Sequence, residues 1–531
     1  MKQFIQSVLV FFSIATAALT AVAQTLDSFN PSVNGVIEAL AVQPDGKVWM
    51  GGAFTVLNGQ PDQALARLKA DGTVDIAFNP GATTVNNTYA PQIIALLIQP
   101  DGKVIAGGWF TSFGGISRNN IVRFNSDGGI DSTFNPGYTT GIITSLAMQS
   151  DGKILAISGF NIFRINPDGS RDTTFNVATS GSIATYFAIQ TDGKILVLGG
   201  VNLVVSNVTY SVNGLGRVSS DGAYDAGFNY FGSLANNSGV PIALTIQSDG
   251  KIVVGNYAPR YVICGPGGGF CIDHYDVLLT RITSSGAFET NVATVHQTFD
   301  SSGLINVLTM QANGKFIAGS SPIERVNAVG GVDTNFNTTA AANVMALQPD
   351  GNLLFGGPAA GRIVNNEAPT QGFSLSGSTL TWMRGGSSPE VWRTTFEYST
   401  NGADWAVLGP GARISGGWQR TGVSVPTNAM LRARGFIVAG DSSSWYVEKL
   451  LNLNPVNPVI LVHDGNFGVI SNQFRFNFSG AQNSTVVIDG STNTVDWSPL
   501  QTNTLGTGPL SFHDPAWRTF SRRFYRARLL P

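Results

Sequence analysis

Charged residues make up only 12% of this 531-residue sequence, and the net charge is −2. That is about half the usual charged share. It argues against a hyperthermophile-style ion-pair surface. Without a basic excess there is also nothing to displace phosphate counterions, so nucleic acid is not an expected partner. Histidine is confined to His274, His296, His463 and His513, with no metal-ligand spacing. Glutamate is scarce too. Only Glu38, Glu289 and Glu324 precede residue 365. Cysteine occurs twice, at Cys264 and Cys271. No G-x-S-x-G, H-E-x-x-H or phosphate-cradling glycine loop is present. Beyond the first residues no apolar run reaches the roughly 18 needed to span a bilayer as a helix.

What is abundant is glycine, at 63 residues, within a composition that is 43% hydrophobic. This suits a β-rich fold with many turns and a sizeable core. Lys2, the apolar run Val8 to Leu19 and the small-residue pattern Ala21-Val22-Ala23 read as a signal peptide over 1–23. Export to a secreted or cell-surface location follows as an expectation.

A repeat dominates the first two thirds. Gln-x-(Asp/Asn)-Gly-(Lys/Asn) starts at Gln43, Gln99, Gln149, Gln190, Gln247, Gln311 and Gln348. An apolar run lies on each side, so each copy reads as a β-hairpin turning at Asp-Gly. A second half follows, with an Arg, another turn and Asp-x-x-Phe-Asn. Three or four short strands per repeat is the content of a propeller blade.

An acid stands eight residues after the Arg in six copies: Arg67/Asp75, Arg123/Asp131, Arg164/Asp172, Arg217/Asp225, Arg281/Glu289 and Arg325/Asp333. Arg362 has Thr370 at that distance, whereas Asp27-Ser28-Phe29-Asn30 has no Arg of its own. Asp27 is therefore expected to serve Arg362, so that the N-terminal segment completes the last blade and closes a seven-bladed ring over 24–365. The pairs are expected to be scaffold ties, because a device present in every blade is more often structural than functional.

The wording QPDGK-(apolar)-GG-x-F-T…R-(apolar)-x-x-DG-x-x-D-x-x-F-N-P, clearest at 43–81 and 99–137, resembles the delta-60 repeat β-propellers of exported bacterial proteins. The resemblance covers 27–365 and implies fold and export, without a reaction. The fifth repeat departs from it, with Val292 in the Phe slot and an insertion over 256–277.

Past Asn365-Asn366-Glu367-Ala368-Pro369 the repeat changes. Ser399-Thr400-Asn401-Gly402-Ala403-Asp404-Trp405 is echoed by Ser491-Thr492-Asn493-Thr494-Val495-Asp496-Trp497, and Leu431-Arg432-Ala433-Arg434 by Tyr525-Arg526-Ala527-Arg528. Two related β-sandwich modules are expected, at 367–453 and 458–531. In architecture they resemble immunoglobulin- or fibronectin-type accessory modules. Because Trp405 and Trp497 recur, they are expected in the module cores. Trp392, Trp418 and Trp445 do not recur and are candidate exposed contacts.

Cys264 and Cys271, in an exported chain, are expected to form a disulfide pinning the insertion tip. A metal site with Asp273 and His274 is the lesser alternative. Asp71/Asp75 and their equivalents admit a calcium reading, but calcium wants about 6–8 oxygens from a dense acidic loop, which is missing. No catalytic residue, resident metal or organic cofactor is expected. The expected function is a monomeric, exported, non-enzymatic scaffold that binds an extracellular polysaccharide or surface protein. The alternatives are a carbohydrate-active hydrolase or lyase with acids in the propeller funnel, and C-terminal modules serving secretion or surface retention.

Overall fold

The computed structural model describes residues 24–531 except 62–63, 79–81, 84–89, 138–140, 181–183, 200–201, 213, 229, 231–240, 265–270, 297–306, 320–321, 428, 439–442, 454–458, 463, 472, 480–484, 507 and 530–531. In the strands, the side chains of 82–83, 185–186, 257–264, 271–276, 294–296, 438 and 459 are likewise not described. The expected signal peptide falls outside the described residues.

The hairpins form where the repeat places them. In the second repeat, Gln92–Ile98 turns back as Val104–Trp109. The Gln99 amide donates to the Lys103 carbonyl (2.8 Å) and the Gly102 amide to the Gln99 carbonyl (2.9 Å). Gly102 sits at φ +83°, and Asp101 Oδ1 accepts from the Lys103 amide at 3.1 Å. A left-handed residue and a side-chain acceptor are what Gly and Asp supply in a tight turn.

Among the described residues, the principal antiparallel sheets follow in chain order. The first is Val36–Val42, Val48–Ala53 and Leu65–Leu68; the second adds Ile121–Phe124 to the hairpin above. The third runs Ile143–Met148, Ile154–Ser158, Asn161–Ile165 and Arg171–Ser180, and continues outward into a small hairpin. The fourth is Ala184–Ile189, Ile195–Gly199 and Leu215–Val218. The fifth is Pro241–Ile246, Ile252–Cys264, Cys271–Ile282 and Phe288–His296. The sixth is Val307–Met310, Phe316–Gly319 and Glu324–Val326; the seventh is Val344–Leu347, Leu353–Gly356 and Gly361–Ile363. Successive first strands pack side by side, and that of the seventh sheet packs against that of the first. This is a β-propeller.

The recurrent Gly-Gly pair lets the sheets approach. A Cβ at Gly51 would lie 2.5 Å from Ile93 of the second sheet, and one at Gly356 would lie 2.7 Å from Ile37 of the first. At the closure, Leu26 bridges to Ile363, and the Val364 amide donates to the Thr25 carbonyl at 2.9 Å.

Past residue 365 come two further pairs of sheets. One sheet orders Pro369–Ser376, Thr379–Gly386, Gly417–Arg420 and Ala412–Ile414. It faces Ala406–Pro410, Arg393–Ser399, Met430–Val438 and Ser444–Asn452. Leu380, Trp382, Phe396, Trp418 and Leu431 are buried between them. The last pair joins Val459–Leu461, Gln473–Ser479, Gly468–Ile470 and Leu510–Asp514 to Ser498–Thr504, Thr485–Ser491 and Phe524–Leu529. Its core holds Phe476, Phe478, Val486, Ile488 and Phe512.

The exposed-contact expectation for Trp418 and Trp445 is overturned: their exposures are 3% and 2%. Trp418 fills the space between the two sheets, and Trp445 lies in the strand that meets the propeller. Trp392 is half-buried against the same core. The core expectation for Trp405 and Trp497 is corrected as well, since both are only half-buried. Trp382 is fully buried in the core of the first C-terminal unit instead.

Candidate binding surfaces

The regular Arg/acid column comes together within each sheet. Nε of Arg67, Arg123, Arg164, Arg217, Arg281, Arg325 and Arg362 donates to Asp75, Asp131, Asp172, Asp225, Glu289, Asp333 and Asp27 respectively, at 2.7–2.9 Å. Six guanidiniums also lie over the aromatic ring of their own repeat, 4.4–5.0 Å from its centroid, with Arg362 over Phe29.

Beyond its own sheet, the same guanidinium reaches the next. Nη1 of Arg123 donates to the Pro167 carbonyl (2.9 Å), that of Arg164 to Ser220 (2.7 Å) and that of Arg281 to Ala328 (3.2 Å). Arg217 reaches Ser284 in the same way, and Arg362 reaches Ala70 of the first sheet at 3.1 Å. The turn lysine supplies a second cation to the acid: Lys103 to Asp131, Lys153 to Asp172, Lys194 to Asp225, Lys251 to Glu289 and Lys315 to Asp333. Spacing revealed the Arg partner. The Lys was legible only once the strands of its own sheet were paired, and the neighbouring turn only once the sheets stood side by side.

These contacts set the charge states. Lys153 and the Thr174 hydroxyl hold Asp172 well below the usual carboxylate range, against the pull of burial. At Asp131 burial opposes ionisation, and Thr133, Lys103 and Arg123 together overcome it. Oxygens so occupied have little capacity left for a ligand. Asp71, the calcium candidate beside Asp75, spends Oδ1 on the Thr73 amide and hydroxyl. Among the described residues no group of three His, Cys, Asp or Glu is arranged to hold a metal ion.

One mouth of the propeller is covered by its own chain. The first C-terminal unit lies across the mouth where the Gln-x-Asp-Gly-Lys turns gather. The Ala312 amide donates to the Ser388 carbonyl (2.7 Å) and the Glu390 amide to the Met310 carbonyl (2.9 Å). Ser444 Oγ donates to the Leu146 carbonyl (2.9 Å), and Ser443 Oγ accepts from the Leu96 amide (3.3 Å). Arg393 donates to the Gln149 carbonyl and stacks on Phe436. Beneath this cover remains a cavity of about 60 Å³, lined by the first strands of the fourth to sixth sheets and by Glu390, Trp392 and Arg413. Arg413 donates to both Glu390 oxygens, at 2.6 and 3.2 Å.

An open groove lies at the edge of this cover. Pro100 and Asp101 of the second repeat's turn face Ala403, Asp404, Trp405, Arg432 and Arg434. The turn under Trp405 is built by its own side chains. Ser399 Oγ accepts from the Gly402 amide, Asn401 Oδ1 accepts from the Ala403 and Asp404 amides, and Asn401 Nδ2 donates to Asp404. Arg432 lies over the Trp405 ring at 3.8 Å and bonds Glu397 through Nε at 2.7 Å. The groove thus offers an indole edge, guanidinium donors and carboxylate acceptors side by side. Sequence reasoning found the repeated turn but not the Arg–Trp stacking, whose partners are some thirty residues apart.

Cys264 and Cys271 stand opposite each other in the backbone register of the fifth sheet; their side chains lie outside the described residues, as do His274, His296 and His463. His513 is exposed.

Residues 43–78, 99–134 and 149–175 match a protein family described as "Domain of unknown function (DUF5122) beta-propeller". Among solved structures, the chain is similar to a gluconolactonase of Xanthomonas campestris, with 13% identity, 54% of this chain and 94% of that one covered, and a TM-score of 0.30. It is similar to a calcium-binding protein, regucalcin, from Agrobacterium tumefaciens, with 12% identity, 52% and 86% covered, and a TM-score of 0.27. A third similarity is to the extracellular domain of a hybrid two component system from B. thetaiotaomicron, with 11% identity, 93% and 81% covered, and a TM-score of 0.23. No curated protein matches the chain.

Proposed function

We propose that this β-propeller chain is an exported, non-enzymatic binding scaffold. In this reading, 24–365 is a seven-bladed delta-60-type propeller whose last blade is completed by the N-terminal segment, and 1–23 is a signal peptide. A β-sandwich of immunoglobulin type at 367–453 caps the ring, and a second at 458–531 extends it. The Arg/acid column serves as scaffold that ties blade to blade.

One observation carries the reading. The propeller mouth on the side of the Gln-x-Asp-Gly-Lys turns is covered by the chain's own Ser388–Arg393 segment. A cavity of about 60 Å³ has room for about four waters and none for a sugar. Its lining carries one carboxylate, Glu390, and that carboxylate is committed to Arg413. Glycoside cleavage calls for two carboxyls about 5–9.5 Å apart on either side of the bond. Recognition then falls to outer surfaces, and the Trp405 groove fits an extracellular polysaccharide or a polar protein surface. Indole and guanidinium stack on rings, while the carboxylates accept hydroxyls.

The test is a binding screen of 24–531 against cell-wall and capsular polysaccharides and extracellular proteins, with and without calcium. The expected result is saturable binding that is insensitive to calcium and weakened about tenfold or more by Trp405→Ala. Release of reducing ends from any polysaccharide would overturn the non-enzymatic reading. The proposed Cys264–Cys271 disulfide is checked by thiol titration in denaturant. No free thiol is expected without reductant, and a titration that finds both would remove the disulfide.

A further inference from the structure

The two C-terminal pairs of sheets carry the same charged device, covered in one and bare in the other. In the first, Glu397 stands opposite Arg432 in the register, and Arg432 lies over Trp405. In the second, Asp489 stands opposite Arg526, and Arg526 lies over Trp497 at 4.4 Å. Nε of Arg526 and of Arg528 donate to Asp489 at 3.0 and 2.7 Å, and Arg432 Nε and Arg434 Nη1 donate likewise to Glu397. The turns share the same Ser and Asn bonds: Asn493 Nδ2 donates to Asp496 as Asn401 Nδ2 does to Asp404.

The difference lies at the sheet edge. In the first unit, Met430–Val438 has a further antiparallel neighbour, Ser444–Asn452, which places Glu448 opposite Arg434. Arg434 Nε donates to Glu448 at 3.3 Å. Two arginines there meet two carboxylates, and their side chains are 11% and 10% exposed. In the second unit the sheet order ends at Phe524–Leu529, and no described strand pairs with its outer edge. Arg526 and Arg528 share the single carboxylate of Asp489 and are 46% and 41% exposed. Arg518, Arg522 and Arg523 lie close by in the chain, and Asp514 is engaged by Arg523. Among the described residues the edge thus combines a row of backbone groups without a strand partner with excess positive charge, and open edges of this kind are templates for strand addition.

We propose that the strand Phe524–Leu529 accepts an extended acidic segment of a partner protein by β-strand addition, with a carboxylate opposite Arg528 as Glu448 stands opposite Arg434. This surface is distinct from the Trp405 groove and does not depend on the glycan reading. A charge-assisted hydrogen bond to Arg528 fixes the register, and the ladder supplies the affinity.

The test uses 24–531 and a fluorescent peptide of residues 443–452, whose Glu occupies the position to be matched. Saturable binding by anisotropy is expected. It should weaken about tenfold or more on Glu→Lys in the peptide, and likewise on N-methylation of alternate peptide amides. Arg528→Glu in the protein should reject the Glu peptide and restore the Lys peptide, with thermal unfolding reporting that the variant is folded. Failure to saturate, or binding indifferent to N-methylation, would overturn the proposal. Self-association of the chain blocked by the same peptide would overturn it in favour of a second copy as the occupant.

Discussion

At the residue scale, the most informative unit is one arginine with its carboxylate. Arg164 serves four masters: Asp172, the Phe175 ring, Gln149 and the Ser220 carbonyl of the next sheet. Removing its counter-charge leaves a buried cation. Asp172→Asn is expected to cost roughly 3–5 kcal/mol in urea unfolding. Glu289→Gln, whose side chain is 31% exposed and whose repeat has Val292 in place of Phe, is expected to cost much less, because solvent screens an exposed pair. Similar losses in the two variants would show that burial does not set the value of the pair. The pH dependence follows from sign. Asp131, Asp172, Asp225 and Asp333 are held below the ordinary carboxyl range. They bind protons less readily folded than unfolded, so their stabilisation is complete above about pH 4 and is lost as pH falls towards the folded values. Asp172→Asn is expected to flatten the acid branch of a stability–pH profile.

At the element scale, the seams between sheets are governed by glycine rather than by the apolar runs that define the strands. Gly128 has φ +98°, and a Cβ there would meet the Phe78 ring of the preceding repeat at 2.7 Å. Gly169 presses on Phe134 and Gly72 on Phe29 in the same manner. Gly115 also has positive φ (+78°) but nothing within 4 Å. Gly128→Ala is therefore expected to lower the melting temperature more than Gly115→Ala, which carries only the left-handed backbone penalty of about 1 kcal/mol. Equal effects would mean that the seam accommodates a methyl group. The hairpins themselves were legible from their apolar-turn-apolar wording, because local turn chemistry fixes them. The seam was not, because the Phe and the Gly that meet belong to different repeats.

At the scale of the whole molecule, the first C-terminal unit belongs to the propeller rather than hanging from it. Ser444 pairs with Leu97, Ser443 bonds Leu96, and Trp445, Leu96 and Leu97 share one buried cluster. Truncation after residue 366 is expected to bare that apolar cluster, with increased dye binding and a lower melting temperature. Truncation after 457 is expected to leave the propeller's unfolding nearly unchanged. Equal behaviour of the two truncations would mean that the cover adds no stability.

Periodicity alone specified the strands, the turns and the Arg/acid partners, including Asp27 for Arg362 across nearly the whole chain. Each of these is either local or repeated, so spacing carries it. Packing assigned the tryptophans: Trp418 and Trp445 went inside, and Trp405 and Trp497 went to the rim under arginines. Packing also covered one mouth of the propeller and left one described sheet edge without a strand partner. These outcomes depend on which apolar faces meet once all the sheets are formed. A recurring Trp looks the same in sequence whether it fills a core or carries an Arg.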